Sequence, residues 1–346
     1  MKHLIKILLL AICLTPCRAQ ADIPSIFDQF THTEVLKLQL ELNMDTLFAK
    51  VRTNEEYPAV FRYQDAHGAW VELLSDVRAR GRYRRRTCDF PPLRIDFSKK
   101  DLRARGLLDF DDLKLVTHCM NGAKGKEAVL REYLVYKLYS ELTDYALRAQ
   151  LVEVTYIDSK SGKKDTKYGI LLEDIDELAA RQGAEECDEC YGLSTVDFQQ
   201  DNLRTHDMFQ YMIGNVDWSL PMARNLKILR PVQGTLYTVV PYDFDFSGLV
   251  DVAYAVPNQD VGQTEVGERV YLGAARSRQE LQTTIDLFRS KQEALRSRIE
   301  NFGLLNRRSR REMLDYLDTF YQALAETETA VCDTILSQRC SNPGGK

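Results

Sequence analysis

The chain has 346 residues, 28% of them charged, and its formal net charge is −5 at pH 7. This length suits one bilobal domain or two small domains. The mild negative charge argues against a general nucleic-acid-binding protein. Beyond residue 21, no segment is apolar enough to cross a membrane.

The N-terminus has the pattern of a secretory signal peptide. Lys2 and Lys6 supply positive charge, "LIKILLLAICLTP" is apolar, and "AQA" fits the small-residue cleavage rule. We therefore expect residues 1–21 to be removed after Ala21 and the mature protein to be periplasmic or secreted. A short membrane anchor is the less favoured alternative, because the apolar run is shorter than the roughly 18 residues that a span needs.

Six cysteines remain after the first 21 residues. An even number in an exported chain favours disulfides, and we expect the pairs Cys88–Cys119, Cys187–Cys190 and Cys332–Cys340. The alternative makes "CDEC" (187–190) half of a zinc site. Zinc needs four ligands, however, and the chain has no second CxxC and no HxxxH pattern.

Strands predominate in the first half of the chain. Alternation and β-propensity predict strands at the start of 34–51 and in 59–64, 70–81, 93–97 and 113–118, with a basic loop, "RGRYRRRTCDFPP", at 80–92. Leucines at every fourth position predict a helix over 126–142. Two further strands, 150–157 and 168–175, follow it.

Helices predominate in the second half. A helix over 202–213 is expected to end at Gly214, and "SRQE" (277–280) and "SRRE" (309–312) are capping-box patterns that each open a long amphipathic run. The predicted fold class is α+β with two lobes. The strand-rich lobe takes residues 22–180 and the helix-rich lobe takes 181–346.

Acidic and amide residues cluster around one predicted hairpin, in which "NLKILR" and "TLYTVVPYD" flank "PVQG". A turn centred on Gly234 places Asn225 opposite Asp243 at the open end, and Asp217 lies just upstream. Burying unpaired carboxylates costs several kcal/mol. A divalent cation would remove that cost, and carboxylate and amide oxygens are the ligands magnesium prefers. The pattern is typical of half of a phosphoryl-transfer site.

Several segments between residues 34 and 252 resemble, in the same order, the CotH family of spore-coat protein H kinases, which are secreted or surface-bound atypical protein kinases. They are "VRARGRYRRRTCDFPPLRIDF", "AVLREYLVYKLYSEL", "YGILLEDID", "GNVDW", "RNLKIL" and "VPYDFDFSG". The resemblance implies a bilobal atypical protein-kinase-like fold that uses ATP with magnesium or manganese. Its acceptor would be a serine or threonine hydroxyl of a protein.

The resemblance also implies roles for individual residues. Asp217 becomes the catalytic aspartate, Asn225 a metal ligand, Asp243 the principal metal ligand and Asp245 a supporting acid. The chain departs from the pattern in its spacing, because Asp217 and Asn225 are eight residues apart where ordinary kinases have five. The intervening loop must therefore bulge.

A second departure concerns the lysine that binds the phosphates. The family has a lysine where this chain has "PPLRIDF". Lys114 with Glu132 is one candidate for the expected lysine–glutamate pair, and solvated surface charges are the alternative. The basic loop could instead cover the phosphates through bidentate contacts, or be a solvated edge. Its arginines are Arg78, Arg80, Arg82, Arg84, Arg85 and Arg86.

The favoured function is an exported kinase that transfers phosphoryl from ATP to a protein hydroxyl. The alternative is a non-catalytic coat, envelope or adhesion protein with the same fold. A third, weaker option is a metal-dependent phosphohydrolase. The acids around the hairpin also allow a simpler interpretation, in which "DFDFSG" is a turn with capping aspartates.

Overall fold

The computed structural model describes residues 23–274, 276 and 278–326. Its first half is a closed barrel of seven strands in the order β1-β2-β3-β4-β5-β7-β6. β1 pairs with β6 in parallel and every other neighbouring pair is antiparallel. The strands are β1 (Val35–Leu42), β2 (Tyr57–Gln64), β3 (Trp70–Ala79), β4 (Leu93–Phe97), β5 (Asp112–Val116), β6 (Ala149–Asp158) and β7 (Lys164–Leu172).

A second, three-stranded antiparallel sheet follows, in the order β10-β9-β8. Its strands are β8 (Ala184–Glu186), β9 (Leu226–Pro231) and β10 (Thr238–Pro241). The helices are α1 (Met44–Ala49), α2 (Arg84–Thr87), α3 (Lys99–Ala104), α4 (Gly122–Ser140), α5 (Ile175–Arg181), α6 (Gln200–Ile213), α7 (Arg278–Glu300) and α8 (Arg307–Glu326).

The apolar side chains form two large cores. Strand alternation points Leu38, Phe61 and Ile95 into the barrel, where they are fully buried. The other large core joins α4, α6, α7 and α8 around residues such as Leu134 and Phe288. Helix α4 belongs to this second core but also contacts β6 and β7, so it connects the barrel to the helices.

The predicted order, strands first and helices afterwards, is confirmed. The closed barrel was not part of the prediction, because its closure depends on the pairing of β1 with β6, far apart in the chain. The kinase-like bilobal arrangement, with its division at residue 180, stays a prediction. Within the described residues, no helix is both long and apolar enough to cross a bilayer.

Two local predictions differ from the structure, and the short helices α1, α2, α3 and α5 were not predicted. The strand predicted over 168–175 ends at Leu172, because the side chain of Asp174 accepts the N–H of Asp176 at 3.0 Å and starts α5. The capping box at 309–312 is wrong, because α8 starts earlier and Asn306 accepts the N–H of Ser309 at 2.9 Å. Ser277 of the other box lies outside the described residues.

Two predicted disulfides are confirmed, Cys88–Cys119 and Cys187–Cys190. The zinc interpretation of "CDEC" is therefore wrong, since both of its thiols are oxidised to one bridge. The predicted pair Cys332–Cys340 and the predicted signal peptide, residues 1–21, lie outside the described residues.

The side chain of His118 is buried in the core at one end of the barrel. Its ring packs against Phe90 and Tyr156, with centroids 5.3 and 6.3 Å away. Burial and, to a smaller extent, the charge of Lys167 lower the pKa of His118 to about 4. His118 is thus a neutral core residue at physiological pH.

Candidate functional site

Asp217 lies just after the C-terminal end of helix α6, which positions it in the site. The helix ends at Gly214, whose φ of 64° lies in the left-handed region where glycine is favoured. Asn215 then accepts the N–H of Asp217 at 3.0 Å. Burial raises the pKa of the Asp217 carboxyl, and the charge of Arg224 opposes this. The carboxylate is 37% exposed, so an incoming group can reach it.

The loop between Asp217 and Asn225 bulges, as predicted from its length. Ser219 and Arg224 close it by exchanging two backbone hydrogen bonds of 3.1 and 3.0 Å. This turn brings Asn225 back, and its amide donates to the backbone oxygen of Asp217 at 2.6 Å and to its carboxylate at 2.9 Å. The extra residues therefore do not separate the two predicted site residues.

The predicted register of the hairpin is wrong by one residue. Pro241 pairs with Leu226, and the N–H of Tyr242 bonds the carbonyl of Asn225 at 3.1 Å, so Asn225 lies opposite Tyr242 and not Asp243. The turn is centred just before Gly234. Strand alternation does not orient the two polar residues in any case, because Asn225 (φ 55°) and Asp243 (φ 66°) both adopt left-handed conformations.

Asp243 and Asp245 follow β10, and each forms a hydrogen bond with a tyrosine hydroxyl. The N–H of Asp243 donates to the hydroxyl of Tyr136 on α4 at 2.9 Å. The hydroxyl of Tyr254 donates to Asp245 at 2.8 Å. Both tyrosines fix the backbone and side chains of this acidic segment against the helical core.

Arg84 lies in the middle of these acids. It is one of six arginines in the predicted phosphate-covering loop, but its side chain is only 5% exposed. It forms ion pairs with Asp243, with Asp245 at 3.5 Å and with Glu132 at 3.9 Å. Its neighbour Arg86 is exposed. In a run of arginines no sequence signal distinguishes the buried one.

Glu132 is the third acid of this cluster. Burial raises the pKa of Glu132 to about 7, although the charge of Arg84 acts in the opposite direction. The predicted partner of Glu132 was Lys114. The structure pairs Glu132 with Arg84 instead, and the acid near Lys114 is Asp112, at 4.0 Å. The predicted lysine–glutamate pair is therefore not formed, since each side chain has a different partner.

Lys114 instead faces a polar cleft of about 520 Å³ between the barrel and the second sheet. Alternation along β5 buries Leu113 and Leu115 in the barrel and turns Lys114 to the outer face. Burial lowers the pKa of Lys114, the charge of Asp112 opposes this, and the charges of Arg80 and Lys227 act in the same direction as burial. Lys114 is thus a compact cation whose nearest counter-charge, Asp112, lies at the outer limit of an ion pair.

Arg80 lines the same cleft. Its guanidinium lies 5.9 Å from the centre of the Tyr242 ring, and within the described residues no carboxylate lies within 4 Å of it. Burial lowers the pKa of Arg80 as well. Arg80 and Lys114 therefore place two under-neutralised cations in one cleft, directly beside the segment that carries Asp243.

The predicted metal ligands do not fit a divalent ion in this arrangement. The described residues contain no group of three or more His, Cys, Asp or Glu side chains placed to hold a metal. Oxygens of Asp243 and Asp245 face the guanidinium of Arg84. Asn225 donates through its Nδ2 to Asp217, which uses the amide nitrogen and not the oxygen that would bind a metal. The countercharge that the sequence analysis assigned to a metal is provided here by an arginine.

Comparisons with known proteins give little support for a relationship. No family model matches the chain, and no curated protein matches it. Among solved structures, the Helicobacter pylori proinflammatory kinase CtkA is similar at 9% identity, covering 70% of this chain and 94% of that chain with a TM-score of 0.39. A TM-score below 0.5 does not establish a shared fold, so membership of the CotH family stays a prediction.

Proposed function

We propose that the chain is a kinase-like protein that binds the phosphates of ATP in the cleft and transfers phosphoryl to a protein hydroxyl. The observation that carries this proposal is the pair of half-buried cations, Arg80 and Lys114, in one cleft. Within the described residues Arg80 has no carboxylate within 4 Å, and the acid nearest to Lys114 is Asp112, at 4.0 Å. Buried cations are stable only with a counter-charge, and a polyphosphate supplies one. Guanidinium and ammonium groups are the usual ligands of phosphate.

The lining of the cleft is strongly charged, with six cationic and seven acidic side chains among the described residues, beside Ile175 and Tyr242. The proposal places the phosphates against Arg80 and Lys114 and not against the acidic part of this lining. Asp217 is not among the residues that line the cleft and lies next to Asn225. In the proposal Asp217 accepts or orients the proton of the acceptor hydroxyl, a role that a partly exposed carboxylate with a raised pKa can perform. Metal binding by Asn225, Asp243 and Asp245, which the sequence predicted, is no part of this proposal.

The proposed location is outside the cytosol. The bridges Cys88–Cys119 and Cys187–Cys190 support this, because disulfides persist in oxidising compartments. The predicted cleavage after Ala21 belongs to the same proposal.

Nucleotide binding tests the first half of the proposal. We expect Lys114→Met to weaken ATP binding about 10–100-fold, because a hydrogen bond to a charged group contributes about 1.5–3 kcal/mol. Lys160→Met is the matched control, since Lys160 pairs with Asp45 on the exposed barrel surface. Isothermal titration of ATP into each variant is the measurement. Equal affinities of wild type and Lys114→Met would refute the role of the cleft.

Phosphoryl transfer tests the second half. Asp217→Ala should lower autophosphorylation with labelled ATP by about 10²–10⁴, while ATP affinity stays within a few-fold of wild type. Full activity of Asp217→Ala would remove the catalytic assignment.

The second candidate is a non-catalytic protein of the same fold, and the pairing of Arg84 with Asp243 and Asp245 favours it. A wild-type protein that binds ATP but transfers no phosphoryl in the presence of magnesium or manganese would establish this candidate.

A further inference from the structure

Three carboxylates from two parts of the chain meet around one arginine. Glu132 comes from the middle of α4, and Asp243 and Asp245 follow β10. The side chains of Glu132 and Asp245 are each only 4% exposed. Carboxylates this deeply buried stay ionised only with a positive charge or hydrogen-bond donors close by, because water cannot stabilise them.

The guanidinium of Arg84 meets this requirement with each of its three nitrogens. Nη2 faces Asp243, Nε faces Asp245 at 3.5 Å, and Nη1 faces Glu132 at 3.9 Å. Only a guanidinium offers donors in three directions in one plane, and it stays protonated at any physiological pH.

The segment that carries Arg84 is held in place at both ends. On one side the N–H of Arg80 bonds the carbonyl of Pro92 at 2.8 Å. On the other, Cys88 bonds the carbonyl of Arg84 at 3.0 Å and is bridged to Cys119, just before α4. The backbone around Arg84 is thus fixed, and its buried side chain is a regular component of the cluster.

We propose that Arg84 takes the place of a divalent cation in this chain. The native acidic cluster then binds no divalent metal, and the phosphates in the cleft are held by protein cations without one. The cluster keeps unused acceptor capacity, since the buried Oε1 of Glu132 makes no hydrogen bond within the described residues. Neutralising Arg84 therefore leaves oxygens of the kind that bind magnesium or manganese. The statement about phosphates rests on the proposed function, whereas the statement about the metal does not.

Manganese binding, followed by electron paramagnetic resonance, tests the metal statement. Arg84→Met removes the charge and keeps an unbranched side chain, and we expect it to bind Mn²⁺ at least tenfold more tightly than wild type. Arg84→Met/Asp243→Asn should lose that gain. Arg85→Met is the control, because Arg85 bonds the carbonyl of Thr53 at 2.8 Å, away from the cluster, and it should behave as wild type.

Two results would overturn the metal statement. One is wild-type protein that binds Mn²⁺ and loses the ion on Asp243→Asn. The other is an Arg84→Met protein with a native circular dichroism spectrum and no gain in Mn²⁺ affinity. If Arg84→Met does not fold, the comparison of wild type with Asp243→Asn decides, and absence of Mn²⁺ binding by wild type supports the proposal.

A fluorescent ATP analogue tests the phosphate statement on wild-type protein. We expect its affinity in EDTA and in magnesium to agree within about twofold. Binding at least tenfold tighter with magnesium would overturn the statement. Absence of binding in both conditions would instead refute the proposed function, and the manganese experiment would still decide the role of Arg84.

Discussion

Removing the Cys88–Cys119 bridge should cost the protein far more stability than removing Cys187–Cys190. The first pair is separated by 31 residues and the second by 3. The loop-closure entropy that a bridge removes from the unfolded chain grows with this separation, and it corresponds to about 3.7 kcal/mol for the long loop and about 1.6 kcal/mol for the short one at 25 °C. The loop term thus favours the long bridge by about 2 kcal/mol. Sulfur burial acts in the opposite direction, because Cys187 and Cys190 are both buried whereas Cys88 is half-buried.

Urea unfolding measures this difference. The free energies of unfolding of Cys88→Ala/Cys119→Ala and Cys187→Ala/Cys190→Ala are compared with wild type at pH 7, with the slope against urea checked for each protein. The long-loop variant should unfold at a clearly lower urea concentration. Equal losses in the two variants, or a larger loss for the short loop, would refute the reasoning.

Two further predictions concern single positions. Burial lowers the pKa of His118 to about 4. The stability that neutral His118 contributes is therefore present above about pH 6.5 and is lost as the pH falls toward 4. Between pH 7 and 5, the free energy of unfolding of wild type and of the exposed control His67→Gln should therefore fall by about 1–2 kcal/mol more than that of His118→Gln. Equal decreases in the three proteins would contradict this. Gly125→Ala should lower the free energy of unfolding by about 3 kcal/mol, since its Cβ would lie 1.7 Å from the carbonyl oxygen of Met120. Gly303→Ala is the control, because its Cβ meets no atom within 4 Å. Equal melting temperatures of the two variants would contradict this prediction.

Local patterns predicted much of the fold. Alternation identified barrel strands such as β2 and β4, and the leucine spacing identified α4, because both signals come from one buried face of one element. Closure of the barrel had no such signal. It depends on the parallel pairing of Val35 with Leu151, and nothing within either segment specifies a partner more than a hundred residues away.

The candidate site was predicted in composition but not in arrangement. The proximity of Asp217 and Asn225 followed from their positions around one hairpin. The register did not, because Asn225 and Asp243 leave the strand conformation and the turn is centred half a residue early. The pairing of Glu132 with Arg84 was missed because burial of one arginine in a basic run is decided by tertiary packing.

The central claim is that Arg80 and Lys114 bind nucleotide phosphates in the cleft, and affinity labelling tests it most directly. An ATP acyl phosphate transfers its acyl group to an amine beside the bound phosphates, and the lowered pKa of Lys114 favours the neutral, reactive amine. Mass spectrometry of the labelled wild-type protein should find the acyl group on Lys114, and excess ATP should suppress it. Labelling of exposed lysines such as Lys160, with Lys114 unmodified and no effect of ATP, would contradict the claim.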